Sequence, residues 1–258
     1  MKALILAGGR GERLGDLTKN SNKCMLLLKG KPVLEYNLRR ASEIPEVNEI
    51  ILVVGYRAED IINKYGTTFS YTSDEGTHIK KIRYVIQRNL EGLVHAIQCA
   101  REAIGEDDIF LLLGDEVFQN SRHREMIRLF SQYKDDPPVD TFFGFCGVVS
   151  REKGKTEEIR KTYAILLDDV GNILRLIEKP QAHFNHWQGT GHCVFKNEIL
   201  GYLNKTPIHP KRGERELPDL IQCAIDEGKM VKLFRLAEDY TNINSEEDLR
   251  EAEKFELG

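Results

Sequence analysis

No stretch of this chain approaches the roughly 18 consecutive apolar residues that a membrane span needs. The apolar run near the start, Ala3-Leu4-Ile5-Leu6-Ala7, is too short for a secretory signal and ends in glycines, not in a cleavage site. Cysteine is sparse. Cys24, Cys99, Cys146, Cys193 and Cys223 are odd in number, widely scattered and form no C-x-x-C pair. That argues against a disulfide frame or a zinc knuckle, and a cytoplasmic protein with reduced thiols is expected. A surplus of either charge is also lacking. With 37 Lys+Arg against 41 Asp+Glu the formal net charge is −4, so nothing calls for a nucleic acid or an anionic membrane as partner. Internal repeats, low-complexity tracts and Pro/Ser-rich linkers are absent as well.

What remains is an ordinary globular balance, 41% hydrophobic and 30% charged over 258 residues. That length suits one large domain or two small ones. Residues 3–6, 50–54 and 109–113 are continuous apolar runs, residues 82–86 read as a further strand, and helical spacing appears at 31–44, 58–65 and 93–104. Strands apolar on both faces and separated by helices predict a mostly parallel sheet in a Rossmann-like α/β fold. The second half is richer in strand. Residues 141–150, 163–167 and 173–177 read as strands, the last two as a hairpin about 169–172, with a short strand at 194–195. Residues 217–227 and 246–255 read as helices. The charged stretch 151–161 reads as a solvated loop.

The first strand runs into Gly8-Gly9-Arg10-Gly11-Glu12-Arg13-Leu14. Glycines after a strand let backbone N–H groups converge on an anion with no Cβ in the way. Arg10, Arg13 and Lys23 add positive charge. Two familiar phosphate loops do not fit. A dinucleotide fingerprint from Gly9 needs glycine where Leu14 stands, and no Gly-Lys-Ser/Thr follows for a Walker loop. A turn whose glycines serve geometry alone is the competing reading.

Leu6-Ala7-Gly8-Gly9-Arg10-Gly11-Glu12-Arg13-Leu14, then Leu17-Thr18, Lys23 and Lys31-Pro32-Val33-Leu34, resembles the signature of the sugar-1-phosphate nucleotidyltransferases. Gln87 and Glu91-Gly92-Leu93-Val94-His95-Ala96 look like the base-reading segment of the uridylyl- and thymidylyltransferases. Leu113-Gly114-Asp115 looks like the metal-binding strand end. Tyr163-Ala164 and Ile177-Glu178-Lys179-Pro180 look like the sugar-phosphate segments. Gly191, Arg212-Gly213-Glu214 and the stretch 242–249 fit the later landmarks. Asn22 departs from the proline usual before the lysine, and Asp16 from the proline usual before Leu17; both are expected to be tolerable loop changes. Asn242 departs from the usual aspartate. The C-terminal left-handed β-helix of bifunctional members has no room here.

The resemblance implies the reaction NTP + sugar 1-phosphate → NDP-sugar + pyrophosphate, with Mg²⁺ as cofactor and UTP or dTTP as the favoured nucleotide. It assigns catalysis to Arg13 and Lys23. Nucleotide contacts go to Leu6, Ala7, Gly8, Gly9, Gly11, Gln87, Gly92 and Asp115. Sugar-phosphate contacts go to Tyr163, Glu178, Lys179 and Gly191, and the metal to Asp115 and Asn242. One domain spanning 1–258 is expected, with nucleotide bound by about 1–140 and sugar phosphate by about 141–258. His95 reads as capping or packing its helix. His183, His186 and His192 flank Trp187, and their spacing is poor for zinc. A cytidylyltransferase acting on a phosphonate or non-sugar phosphate, and a non-catalytic nucleotide-sensing relative, stay open as alternatives, as does the choice between monomer and homo-oligomer.

Overall fold

The computed structural model describes residues 1–135, 141–151, 155–182, 185–210 and 212–257. In chain order the first half carries β1 (Lys2–Ala7), β2 (Leu27–Leu28), β3 (Lys31–Pro32), α1 (Val33–Glu43), β4 (Glu49–Val54), α2 (Ala58–Tyr65), β5 (Thr68–Ser73), β6 (Gly76–Ile86), α3 (Gly92–Cys99), α4 (Arg101–Ile104), β7 (Ile109–Leu113), β8 (Glu116–Gln119) and α5 (His123–Asp135). The second half adds β9 (Phe142–Ser150), β10 (Tyr163–Leu167), β11 (Ile173–Glu178), β12 (Trp187–Phe195), α6 (Leu217–Asp226), β13 (Met230–Arg235), β14 (Asp239–Asn242) and α7 (Glu246–Ala252).

β1 lies mid-sheet, parallel to β4 on one side and to β7 on the other, with β6 parallel beyond β4. β12 joins β7 antiparallel and brings β9 and β10 with it. The β10–β11 hairpin and β13 extend that side, and β5 closes the far edge against β6. Both halves of the chain thus build one mixed, mostly parallel α/β sheet, as the sequence predicts. The apolar runs have partners on both faces. Ala3, Ile5 and Leu52 pack with Leu34, Leu38 and Ile61 of α1 and α2. Leu4, Ile51 and Leu111 pack with Val94, Ile97, Leu220 and Ile221 of α3 and α6. Successive strand residues face opposite layers, so every position must be apolar. None of the described helices is long and apolar enough to cross a membrane.

Several elements exceed or correct the sequence reading. The strand at 82–86 is the end of an eleven-residue β6 that pairs with β5. The helix at 93–104 breaks at Ala100 into α3 and α4. The short strand at 194–195 is the end of the nine-residue β12. The solvated loop at 151–161 is a correction: Arg151 and Ile159 are buried, and Thr156–Lys161 winds into a 3₁₀ turn. Arg151 pairs with Asp239 and donates to Gln188 and to the Tyr240 carbonyl, so its charge is neutralised inside the fold. Residues 152–154 lie outside the described residues.

The neighbours of β1 decide where a ligand can bind. The connection from β1 passes to β4 on one side, while β7 arrives on the other. This is a topological switch point, and open α/β sheets bind ligands beyond the carboxyl ends of the strands there. The glycine loop follows β1, and Asp115 follows β7.

Candidate active site

A cleft of about 610 Å³ opens at this point, within the range of small-molecule sites. Leu6, Ala7, Gly8 and Gly9 line it from the end of β1, and Gln87, Gly92, Asp115 and Asn242 from the neighbouring segments. Tyr163, Glu178, Lys179 and Gly191 line the same cleft. Gly11 is the one nucleotide-loop residue of the sequence reading that stands behind the lining. It adopts φ 67°, and a Cβ there would come within 2.8 Å of the Lys23 Cβ. A side chain would be strained and would displace the lysine. Thr18 Oγ1 donates to the Gly11 carbonyl at 2.9 Å and pins the loop.

Lys23 opens a 3₁₀ turn, Lys23–Met25, whose N-cap is Asn22. The Asn22 backbone has φ −67°, the value a proline ring imposes. The backbone geometry is therefore kept, and the side chain adds what proline has not. Asn22 Oδ1 accepts from the Cys24 N–H at 2.8 Å. Its Nδ2 donates to the Ala7 carbonyl at 3.0 Å and to the Tyr56 carbonyl at 2.7 Å. Asn22 is fully buried and ties the lysine turn to the ends of β1 and β4. Asn22→Ala is expected to lower stability by about 3 kcal/mol, since it strands two buried polar partners and one partly buried one. A thermal melt should show Tm falling by roughly 10 °C; an unchanged melt would contradict the tether.

Lys23 forms a direct ion pair with Asp115. Burial pulls the lysine pKa down, and the Asp115 carboxylate more than reverses this, leaving it raised and the ammonium charged. Asn244, part of the 242–249 landmark but given no role in the sequence reading, completes the group. Its Oδ1 accepts from Arg13 Nη2 at 2.9 Å and lies 3.4 Å from Lys23 Nζ. Its Nδ2 donates to Asn242 Oδ1 at 2.8 Å. β14 brings both asparagines into place. It pairs antiparallel with β8, Asn242 opposite Glu116, and the Ile243 N–H donates to the Asp115 carbonyl at 2.9 Å. Capping of α7 belongs to Ser245, whose hydroxyl accepts from the Asp248 N–H, so Asn242 is free of that duty.

The opposite wall carries Glu178 and Lys179 at the end of β11. Lys179 sits at φ 43°, a left-handed conformation that favours glycine. Strain of this kind collects at ligand sites. Its ammonium lies 3.5 Å from Glu178 Oε1 and is half-exposed toward the cleft. Arg212 reaches the same carboxylate at 3.3 Å and Glu216 at 2.9 Å. The sequence reading counts Arg212 as a landmark only; here it lines the cleft. Burial, together with the nearby Glu216 carboxylate, pushes Glu178 up to about 7.

Two of the expected substrate contacts have their polar groups engaged within the protein. The Tyr163 hydroxyl donates to the Thr190 carbonyl at 2.7 Å. The Gly191 N–H donates to both carboxylate oxygens of Glu116 at 3.0 Å. Glu116 lines the cleft but is almost wholly buried, and burial and Asp115 raise its pKa. His192 is buried in β12, donates to the Leu113 carbonyl at 3.2 Å and meets His123 at 2.9 Å. Burial holds it neutral, with its pKa lowered to about 3. His186 lies against Trp187 instead, and His183 lies outside the described residues. Among the described residues no group of three or more His, Cys, Asp or Glu could hold a metal ion.

The family described as Nucleotidyl transferase matches residues 2–256. The UTP–glucose-1-phosphate uridylyltransferase AglF of Haloferax volcanii is 28% identical over 255 residues, which cover 98% of this chain and 96% of that one. The glucose-1-phosphate thymidylyltransferase of Streptomyces griseus is 30% identical over 260 residues, covering all of this chain and 66% of that protein. The bifunctional protein GlmU of Methanocaldococcus jannaschii is 29% identical, and the chain spans 54% of its length. In three dimensions, a UDP-glucose pyrophosphorylase solved with UDP-glucose superposes with a TM-score of 0.81 at 22% identity, over 98% of this chain and 96% of that one. By motif, by fold and by the match along residues 2–256, the chain belongs to the nucleotidyl transferase family.

Proposed function

We propose that the enzyme joins UTP or dTTP to a sugar 1-phosphate, releasing pyrophosphate and forming an NDP-sugar. The observation that carries this reading is a single cleft that presents cations from two walls, those of the second wall paired with Glu178. Arg13 and Lys23 stand at one wall, Lys179 and Arg212 at the other. Two polyanions can therefore meet between them. The acceptor phosphate is ionised at neutral pH, so no general base is needed. The task is to hold two phosphates in line and to offset charge on the departing pyrophosphate. Residues 1–140 supply most of the nucleotide wall and residues 141–258 most of the acceptor wall.

The donor set fits Mg²⁺ as a shared ligand. Asp115 offers one carboxylate and Asn242 one amide oxygen, and Mg²⁺ commonly takes one or two protein oxygens with phosphates and water. When bound, the ion would neutralise phosphate charge. Asp115 would hold the ion and also pairs with Lys23, so a loosened pair would leave the Lys23 ammonium free to meet the phosphates. Pyrophosphate release from five NTPs against a panel of phosphorylated acceptors tests the reading. UTP or dTTP with a sugar 1-phosphate is the expected pair, and release only with CTP and a phosphonate would replace it.

Glu178 gives this reading a pH signature. With its pKa near 7 the carboxyl is neutral in acid and charged above neutrality. As a carboxylate it accepts hydrogen bonds from acceptor hydroxyls. The kcat/KM for the acceptor is expected to rise through about pH 7, and Glu178→Gln should lose that limb and keep only the ionisation of the acceptor phosphate. An identical profile in the two enzymes would remove Glu178 from acceptor binding.

A further inference from the structure

Gln87 at the end of β6 reaches the cleft beside the glycine loop, and its side chain is held at two points. Its Nε2 lies 3.1 Å from the Gly92 carbonyl and 3.1 Å from His95 Nδ1. A carbonyl only accepts, so the Gly92 contact fixes which end of the amide is nitrogen. The second amide hydrogen then points to His95 Nδ1, which accepts it through its lone pair. His95 carries its own proton on Nε2, the side that faces Cys99 Sγ at 3.7 Å and Glu91 Oε2 at 3.9 Å. Both hydrogens of the Gln87 amide are therefore committed within the protein. The oxygen remains. It points to Gly8, where a Cβ would come within 3.1 Å of it.

We propose that His95 is a positioning residue for base selection, locking the Gln87 amide so that only its oxygen faces the base. The inference rests on the pyrimidine reading given above. An acceptor fixed at that point pairs with the N3–H of uracil or thymine. Cytosine presents a bare N3 lone pair there, which a second acceptor repels. Without His95 one amide hydrogen loses its partner. Gln87 is then held by the Gly92 carbonyl alone, and its amide turns more readily to offer nitrogen to the base, which admits cytosine. Gly92 contributes through the backbone alone, at φ 88° and with Glu214 packed where a Cβ would stand, so the discriminating side chain is His95.

The test compares UTP and CTP kcat/KM in the wild type, His95→Leu and His95→Asn. His95 is about a quarter exposed on α3, so both replacements leave the core closed. Asparagine restores an acceptor close to the Nδ1 position; leucine has none. The wild type is expected to favour UTP over CTP by about 100-fold. In His95→Leu the ratio should fall at least tenfold, mainly through a gain with CTP and with kcat for UTP nearly unchanged. His95→Asn should keep the wild-type ratio. Calorimetric titration of UTP and CTP without acceptor should show the same ordering and does not depend on turnover. A UTP-selective wild type whose leucine variant is equally selective would overturn the role of His95 alone. A loss of UTP and CTP activity in equal proportion would overturn it too. A wild type that prefers a purine nucleotide would instead overturn the pyrimidine reading, and this inference with it.

Discussion

Lys23→Ala is expected to cut turnover by two to three orders of magnitude and to leave the fold standing. Lys23 is held at the cleft by Asn22, Gly11 and Asp115, where a positive charge is largely screened from water. A preorganised cation in such a place contributes about 3–4 kcal/mol to a transition state that gathers negative charge. The core beneath the turn does not depend on the ammonium, and Asp115 borders the open cleft, so the melt should move by a few degrees at most. Steady-state kinetics with a circular dichroism melt separates the two effects. Turnover near that of the wild type would reject the catalytic assignment.

Asp115→Asn is expected to be as severe, for a different reason. It removes the carboxylate that Lys23 and the proposed Mg²⁺ share, and Asn242 beside it is neutral. Glu116 lines the same cleft, but burial and Asp115 raise its pKa, which makes it a poor replacement ligand. The loss should be a hundredfold or more at any Mg²⁺ concentration. Asn242→Asp should act the other way, keeping activity and lowering the Mg²⁺ needed for half-maximal rate, because a carboxylate is the stronger ligand. Mg²⁺ titration of initial rate for wild type and both variants reads these effects directly. An active Asp115→Asn enzyme, together with an unchanged titration for Asn242→Asp, would show that the metal is held elsewhere.

Much of the cleft wall around β1 was legible because its signals are local. β1, β4 and β7 are unbroken apolar runs, and the glycine loop and Asp115 follow directly on strand ends. α5 was legible too, since Met126, Ile127 and Phe130 share one buried face, yet the sequence reading assigns nothing there. β5 and β13 are harder, because edge strands carry polar alternation that resembles loop. Asn244 lay beyond local reasoning altogether. It contacts Arg13 across 231 positions of sequence, and only the β8–β14 pairing brings the two together. Asn22 shows a subtler limit. Its departure from proline reads as neutral in sequence, while the fold makes its side chain a buried tether. Tyr163 and Gly191 line the cleft where the family motifs mark them, and their polar groups are engaged within the protein, which no local pattern shows.

The central claim is that an oxygen of the acceptor phosphate attacks the α-phosphorus of the nucleotide. A sugar 1-phosphate labelled with oxygen-18 in its non-bridging phosphate oxygens tests this most directly. After turnover with UTP and Mg²⁺, mass spectrometry and phosphorus NMR locate the label. The account predicts one labelled oxygen bridging the two phosphorus atoms of the NDP-sugar and none in the pyrophosphate. Label in the pyrophosphate, or an unlabelled bridge, would contradict it.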